Sequence, residues 1–275
     1  MPDAVTPLTI PTAFTGWREP QEPPPSAERA GFRFGGRGSH SSRTIMLAEL
    51  RELFDALPVD ADQGAYSEAV VADNALGKAT AASRHHSRQR LRELYGCDPR
   101  LPIFRILRRL WSLDEPGRPL LALLAALARD PVLRATAPPV LSLPVGAELV
   151  RSTFIEVVRA GTGDRFKEAV LDKIARNSAS SWSQSGHLQG RMRKLRRRVE
   201  PTPGSLAFAV WLGVQEGIGG PALLASRWAQ LLDSSPDGLT EVARRARRLG
   251  LIELHIGGGV FEMSADALDP WRGRR

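Results

Sequence analysis

Four arginines crowd the stretch from 239 to 249, LTEVARRARRL, and their spacing decides where they point. With Leu239 at zero and a step of about 100° per residue, Leu239, Val242, Ala243, Ala246 and Leu249 gather in one apolar arc. Arg244, Arg245, Arg247 and Arg248 fall on the opposite side. A planar guanidinium donates two parallel hydrogen bonds, which suits both phosphates and guanine edges. Asp237 is the expected cap, directly after Pro236. Past Gly250, LIELHI, a glycine turn at 257–259 and VFEMS read as a β-hairpin. The hairpin would carry His255 toward a flanking groove or backbone. A helix followed by such a hairpin has the outline of a recognition helix and wing, which favours a functional face over an ordinary solvated one.

Two further stretches concentrate bases. In ATAASRHHSRQRLRELY, Arg84, His85, His86, Arg88, Arg90 and Arg92 accompany a single acid, Glu93. A helix start rich in Ser, Thr and Arg suits phosphate contact through side chains and free N–H groups. His85 and His86 are adjacent and so lack the i, i+4 spacing of a helical metal pair. In RMRKLRRR, Arg191 to Arg198, six of eight residues are basic. Such a run either neutralises several phosphates, with strong salt dependence, or is a solvated linker. It follows NSASSWSQSGHLQG, where Ser and Gln surround Trp182.

Enzymatic chemistry finds little footing. The chain has no glycine-rich phosphate loop, no Cys/His metal set and no nucleophile elbow. No catalytic residue, metal or cofactor is expected. Asp164, Glu168 and Asp172 share helical spacing and read as surface charges.

Composition agrees with a polyanion partner. There are 38 Lys+Arg against 30 Asp+Glu, a formal net charge of +8, and 42 % hydrophobic residues, enough for a folded core. A basic compositional bias is the alternative source of that charge. Cys97 is the single cysteine, so no intramolecular disulfide is expected and a cytoplasmic setting fits. The first 17 residues lack a positive segment followed by an apolar core, so no secretory signal is expected. The longest apolar run, Leu120 to Ala128, is about half of what a bilayer requires, so no membrane span is expected.

The elements that must position these bases are mostly helical. Residues 1–43 carry Pro20, Pro23, Pro24 and Pro25, then Gly35, Gly36 and Gly38, and read as a largely disordered tail. Phe14, Trp17, Phe32 and Phe34 are the candidates within it for docking on the body. Residues 44–200 read as an all-helical domain with helix-turn-helix-like elements and no convincing strand. Its helices include one capped by Thr80 and stopped by Gly96, a buried one after Pro119, and one ended by Gly161. RVEPTPG, 198–204, reads as a linker because alternate prolines cannot lie inside one helix. Residues 204–275 then read as a winged helix-turn-helix domain of three helices and a hairpin. The expected fold class is mainly α, a helical bundle plus a C-terminal winged helix.

Four segments together resemble a known family. AFTGW (13–17), NALGKATAASRHHSRQRLRELY (74–95), RPLLALLAALARDPVL (118–133) and DKIARNSASSWSQSGHL (172–188) are similar in order and pattern to the BrxA family of BREX bacteriophage-exclusion systems. The resemblance spans residues 13–17 and about 66–190. It implies a helical DNA-binding protein with helix-turn-helix-like parts, working beside a methyltransferase and other defence-system proteins. By position it implies DNA contact from Lys78 to Arg92 and from Ser178 to Gly190.

The expected partner is therefore double-stranded DNA. The expected contacts are Lys78, Arg84, His85, Arg88 and Arg92; Ser180, Gln184, His187, Arg191, Arg193, Lys194, Arg196 and Arg197; and Arg244, Arg245, Arg247, Arg248 and His255. A promoter-binding regulator and a scaffold that meets an acidic protein are the alternatives. RNA is disfavoured by the two tyrosines and few aromatics for base stacking.

Overall fold

A computed structural model describes residues 17, 20–35, 38–162, 165–258, 260–269 and 271. In chain order the helices of the first half are α1 (Pro25–Ala30), α2 (Leu47–Asp55), α3 (Gln63–Val71), α4 (Ala81–Tyr95), α5 (Pro102–Leu113), α6 (Arg118–Arg129), α7 (Pro131–Arg134) and α8 (Ala137–Leu141). Then follow α9 (Arg151–Thr162), α10 (Glu168–Gln184), β1 (Leu188–Gln189) and β2 (Leu195–Arg196). The chain continues with α11 (Pro203–Gln215), α12 (Arg227–Gln230), α13 (Pro236–Arg248), β3 (Glu253–Gly257) and β4 (Val260–Ser264). The protein is mainly helical, with two small antiparallel two-stranded sheets, as expected for a helical bundle plus a hairpin.

Local signals explain many boundaries. Thr80 caps α4 in a reciprocal box with Ser83, and Gly96 ends it at φ 93°. Every residue of α6 from Leu120 to Ala128 is buried. A helix apolar on all sides must be surrounded, and α4, α5, α10 and α11 pack on it. Among the described residues, no helix is long and apolar enough to cross a membrane. Gly161 does not stop α9, which runs on to Thr162.

Within 1–43, read as a largely disordered tail, the described residues pack on the body. Ala27 and Ala30 of α1 are buried, and Phe32 meets Trp228 edge-on at 5.6 Å. Trp17 is buried too and donates from Nε1 to Gln230 Oε1 at 3.0 Å. The backbone carbonyls of Gly31 and Arg33 accept from the buried guanidiniums of Arg129 and Arg134. Aromatic burial and these charge-assisted bonds outweigh the prolines' bias toward an open chain. Phe14 lies outside the described residues.

The expected linker is likewise stitched in. Val199 is buried, and Thr202 both caps α11 and bonds its hydroxyl to the Asp114 carboxylate. Gly204 lies so close to that carboxylate that a Cβ there would overlap Asp114 Oδ2. Helix α11 packs against α5, α6 and α13, so one hydrophobic core runs through both expected domains.

Residues 147–196, where no strand was expected, hold a small sheet. β1 and β2 pair antiparallel, Leu188 with Arg196 and Gln189 with Leu195, and Glu148 bridges to Leu195. Two-residue strands are too short to show an alternating pattern, which is why the basic run read as featureless.

Candidate nucleic-acid interface

The C-terminal element assembles much as its periodicity demands. Leu239, Val242, Ala243 and Ala246 are buried on one side of α13, while Arg244, Arg245, Arg247 and Arg248 are exposed. Two details differ. The cap is Ser235, whose hydroxyl accepts from Gly238 N at 3.2 Å, and Asp237 sits inside the first turn. Leu249, placed in the apolar arc by its angle, is 65 % exposed because the helix has ended by then. Arg244 pairs with Glu241 one turn back. Among the described residues, Arg245, Arg247 and Arg248 have no carboxylate partner.

The wing stands next to this face. β3 and β4 pair from Glu253–Ser264 to Gly257–Val260. An open groove lies between helix and hairpin, lined by Arg244, Arg247, Arg248, Leu254 and Ile256. His255 is exposed on β3, directly across from Glu262. Guanidiniums thus edge a groove with an apolar floor, an arrangement suited to a phosphate backbone at its rim.

Helix α4 keeps fewer of its bases free than the sequence suggests. Lys78 Nζ pairs with Glu49 at 3.0 Å, and Arg84 and Arg88 bond to Val71 O at 2.8 Å and Ser67 Oγ at 3.2 Å. Arg84 and Arg88 thus brace α4 against α3, and Lys78 ties the loop ahead of α4 to α2, all three half-buried. Arg90 pairs with Glu93. His85, His86 and Arg92 remain exposed.

The 178–198 stretch divides sharply. His187 has no exposed surface, lies edge-on to Trp182 at 5.0 Å, and contacts Leu231 O from Nε2 at 2.9 Å. A carbonyl only accepts, so Nε2 carries the proton. Burial pushes the imidazole's pKa down to about 4. Arg196 is buried as well, donating to Val140 O at 2.9 Å and pairing with Asp233. Neither residue can meet DNA without unfolding. Gln184 accepts from Leu47 N at 3.0 Å and serves the core, while Ser180 is half-buried on the same helix. Arg191, Arg193 and Arg197 are exposed, Arg193 pairing with Glu148 at 2.7 Å. Lys194 donates to Ser183 Oγ at 3.0 Å and Gly190 O at 2.7 Å. Lys173 and Arg176, exposed on α10, were missed by sequence reasoning, although Arg176, Ser180 and Gln184 share i, i+4 spacing.

One arrangement invites a catalytic reading. His40 Nδ1 lies 2.8 Å from Asp130 Oδ2, and His40 Nε2 lies 2.8 Å from Ser181 Oγ. That is the order of a serine hydrolase triad. Yet His40 and Ser181 have no exposed surface and Asp130 is 1 % exposed. Ser181 Oγ also accepts from Ile45 N at 3.0 Å and donates to Asn177 O at 2.9 Å. Burial alone would raise the Asp130 carboxyl, but His40 and the N–H groups of Leu133 and Ser39 more than offset it and hold it low. A nucleophile sealed in the core presents nothing to a substrate. The three residues clamp the front segment to α7 and α10. Their separation along the chain hid them from any motif.

Cys97 is half-buried, and burial pushes its thiol up to about 12. The expected acidic row reduces to surface ion pairs, Glu168 with Arg159 at 2.5 Å and Asp172 with Arg151 at 3.1 Å; Asp164 lies outside the described residues. Among the described residues no group of three His, Cys, Asp or Glu side chains could hold a metal ion. A scan against protein-family models finds no match, and a comparison with curated proteins finds none either.

Proposed function

We propose that this chain is a non-catalytic DNA-binding accessory protein of a BREX-like anti-phage defence system, acting in the cytoplasm beside other defence-system proteins. One observation carries the DNA reading. Arg245, Arg247 and Arg248 stand exposed and, among the described residues, without carboxylate partners on a helix whose other side is buried, next to a hairpin. Unpaired exposed guanidiniums contribute little to stability, whereas a polyphosphate releases counterions when it meets them. Phosphate contacts would supply most of the affinity and groove contacts any preference.

The defence role is supported by the likeness of 74–95, 118–133 and 172–188 to BrxA. Binding of the full chain to a labelled random-sequence duplex tests the DNA reading. Affinity is expected to fall steeply between ~50 and ~200 mM salt. Deletion of the gene from a phage-resistant host tests the defence role. Unchanged resistance would remove it.

A further inference from the structure

We infer that Arg33, Arg92 and Arg129 line a pocket for the phosphate or diphosphate group of a small molecule, away from the α13 face and independent of the DNA reading.

The pocket lies where the front segment crosses the end of α4. It is open, about 360 Å³ in volume, and walled by the three arginines together with Glu93 and Asp98. Arg129 closes its floor and is only 8 % exposed, while Arg33 is half-buried and Arg92 exposed. Arg33 is held in place by its backbone. Its N–H donates to Ala128 O at 3.0 Å, and its carbonyl accepts from Arg134 at 2.7 Å. The front segment thus carries one guanidinium to a pocket whose other walls belong to the body.

Charge in this pocket is unbalanced. Both carboxylates on its walls are committed to other groups. Glu93 accepts from Ser39 Oγ at 2.7 Å, Arg90 at 2.6 Å and Gln89 Nε2 at 3.0 Å. Asp98 accepts from Arg100 through Nε at 3.0 Å and a terminal nitrogen at 2.8 Å. Among the described residues, no carboxylate pairs with Arg33, Arg92 or Arg129. Arg129 donates only to the backbone carbonyls of Glu93, Arg92 and Gly31, which leaves part of its five-donor fork unused. Burial, and then the charge of Arg33, lower its pKa to about 10, and Arg92 adds to the repulsion. Carbonyls at the end of α4 explain why one guanidinium is buried here. They give no reason for two more to be brought beside it. A bound anion does.

Shape selects the anion. A planar carboxylate offers two oxygens in one plane, whereas a phosphate offers oxygens to guanidiniums that approach from several sides. The volume is at the small end of the range for ligand pockets, enough for a phosphate group with a small substituent. Duplex DNA fits poorly, because a backbone phosphate on a broad rod does not reach a guanidinium that is nine-tenths buried.

Isothermal titration of the full chain with pyrophosphate, at constant ionic strength, tests this. Saturable binding by the wild type is expected. Arg33→Gln and Arg92→Gln change side chains outside the core, so the far-ultraviolet spectrum is expected to hold while each weakens binding about tenfold. Arg33→Lys keeps the charge without the fork and is expected to fall between. A variant combining Arg247→Gln and Arg248→Gln is expected to bind pyrophosphate as the wild type does, and Arg33→Gln to bind duplex as the wild type does. Absence of saturable binding, or a loss seen in the α13 variant and not in Arg33→Gln, would overturn the pocket and leave the DNA reading standing. Duplex affinity that falls with Arg33→Gln, in a chain that ignores pyrophosphate, would make Arg33 a DNA contact and overturn it too.

Discussion

The guanidinium of Arg196, in β2, pairs with the carboxylate of Asp233, in the turn ahead of α13, and both are largely buried. Asp233 adopts φ 51° and accepts from Val199 N at 3.1 Å as well, so one side chain ties the hairpin, the 198–204 stretch and the final helix together. Removing one member of a buried pair leaves the other charge uncompensated, at a cost of about 3–5 kcal/mol. Arg196→Ala is therefore expected to lower the melting temperature strongly, while Arg197→Ala one residue on changes it little. Equal melting of the two variants would show that Arg196 is not structural.

His187 makes stability depend on pH. Its folded pKa of about 4 lies below the unfolded value near 6.5. The unfolded chain thus binds more protons between those values, and stability is full above about pH 6.5 and lost as pH falls toward 4. The span corresponds to about 3 kcal/mol. Asp130, held low in the folded chain, adds a loss of the same sign further down. Denaturant melts at pH 7 and pH 4.5 are expected to differ by a large part of that amount, and His187→Gln is expected to flatten the difference.

The buried His40–Asp130–Ser181 set is expected to behave as a clamp. Ser181→Ala leaves the Ile45 N–H and one His40 ring nitrogen without a partner, costing about 1–3 kcal/mol. A fluorophosphonate probe is expected not to label Ser181 in the folded chain. Stoichiometric labelling that Ser181→Ala abolishes would replace the clamp with a nucleophile.

Much of the scaffold is legible in the residues themselves. The apolar run in α6, the Thr80 cap, and the alternation of Leu239, Val242, Ala243 and Ala246 with arginines are local signals, and local signals survive folding. Exposure of a base is different. Arg108, Arg129, Arg134, Arg196 and Arg227 are all buried. Arg108 caps the carbonyls of Phe54 and Leu57, and Arg129 those of Glu93 and Gly31. Nothing in their sequence neighbourhood distinguishes them from Arg245. The partners of Arg108, Arg129 and Arg134 are carbonyls brought near by tertiary packing, and a carbonyl has no residue type to read; Arg196 and Arg227 pair with Asp233 and Glu216, carboxylates that only the fold brings alongside. The same holds for the front segment, whose anchors Trp228, Gln230 and Asp130 lie far along the chain.

The most direct measurement is duplex binding by the variant combining Arg244→Glu, Arg245→Glu, Arg247→Glu and Arg248→Glu, followed by anisotropy of a labelled duplex at ~50 mM salt. The arginine face predicts a sharp loss of affinity with helical content unchanged. Wild-type affinity in a folded variant would contradict it, and would move the C-terminal contact away from α13.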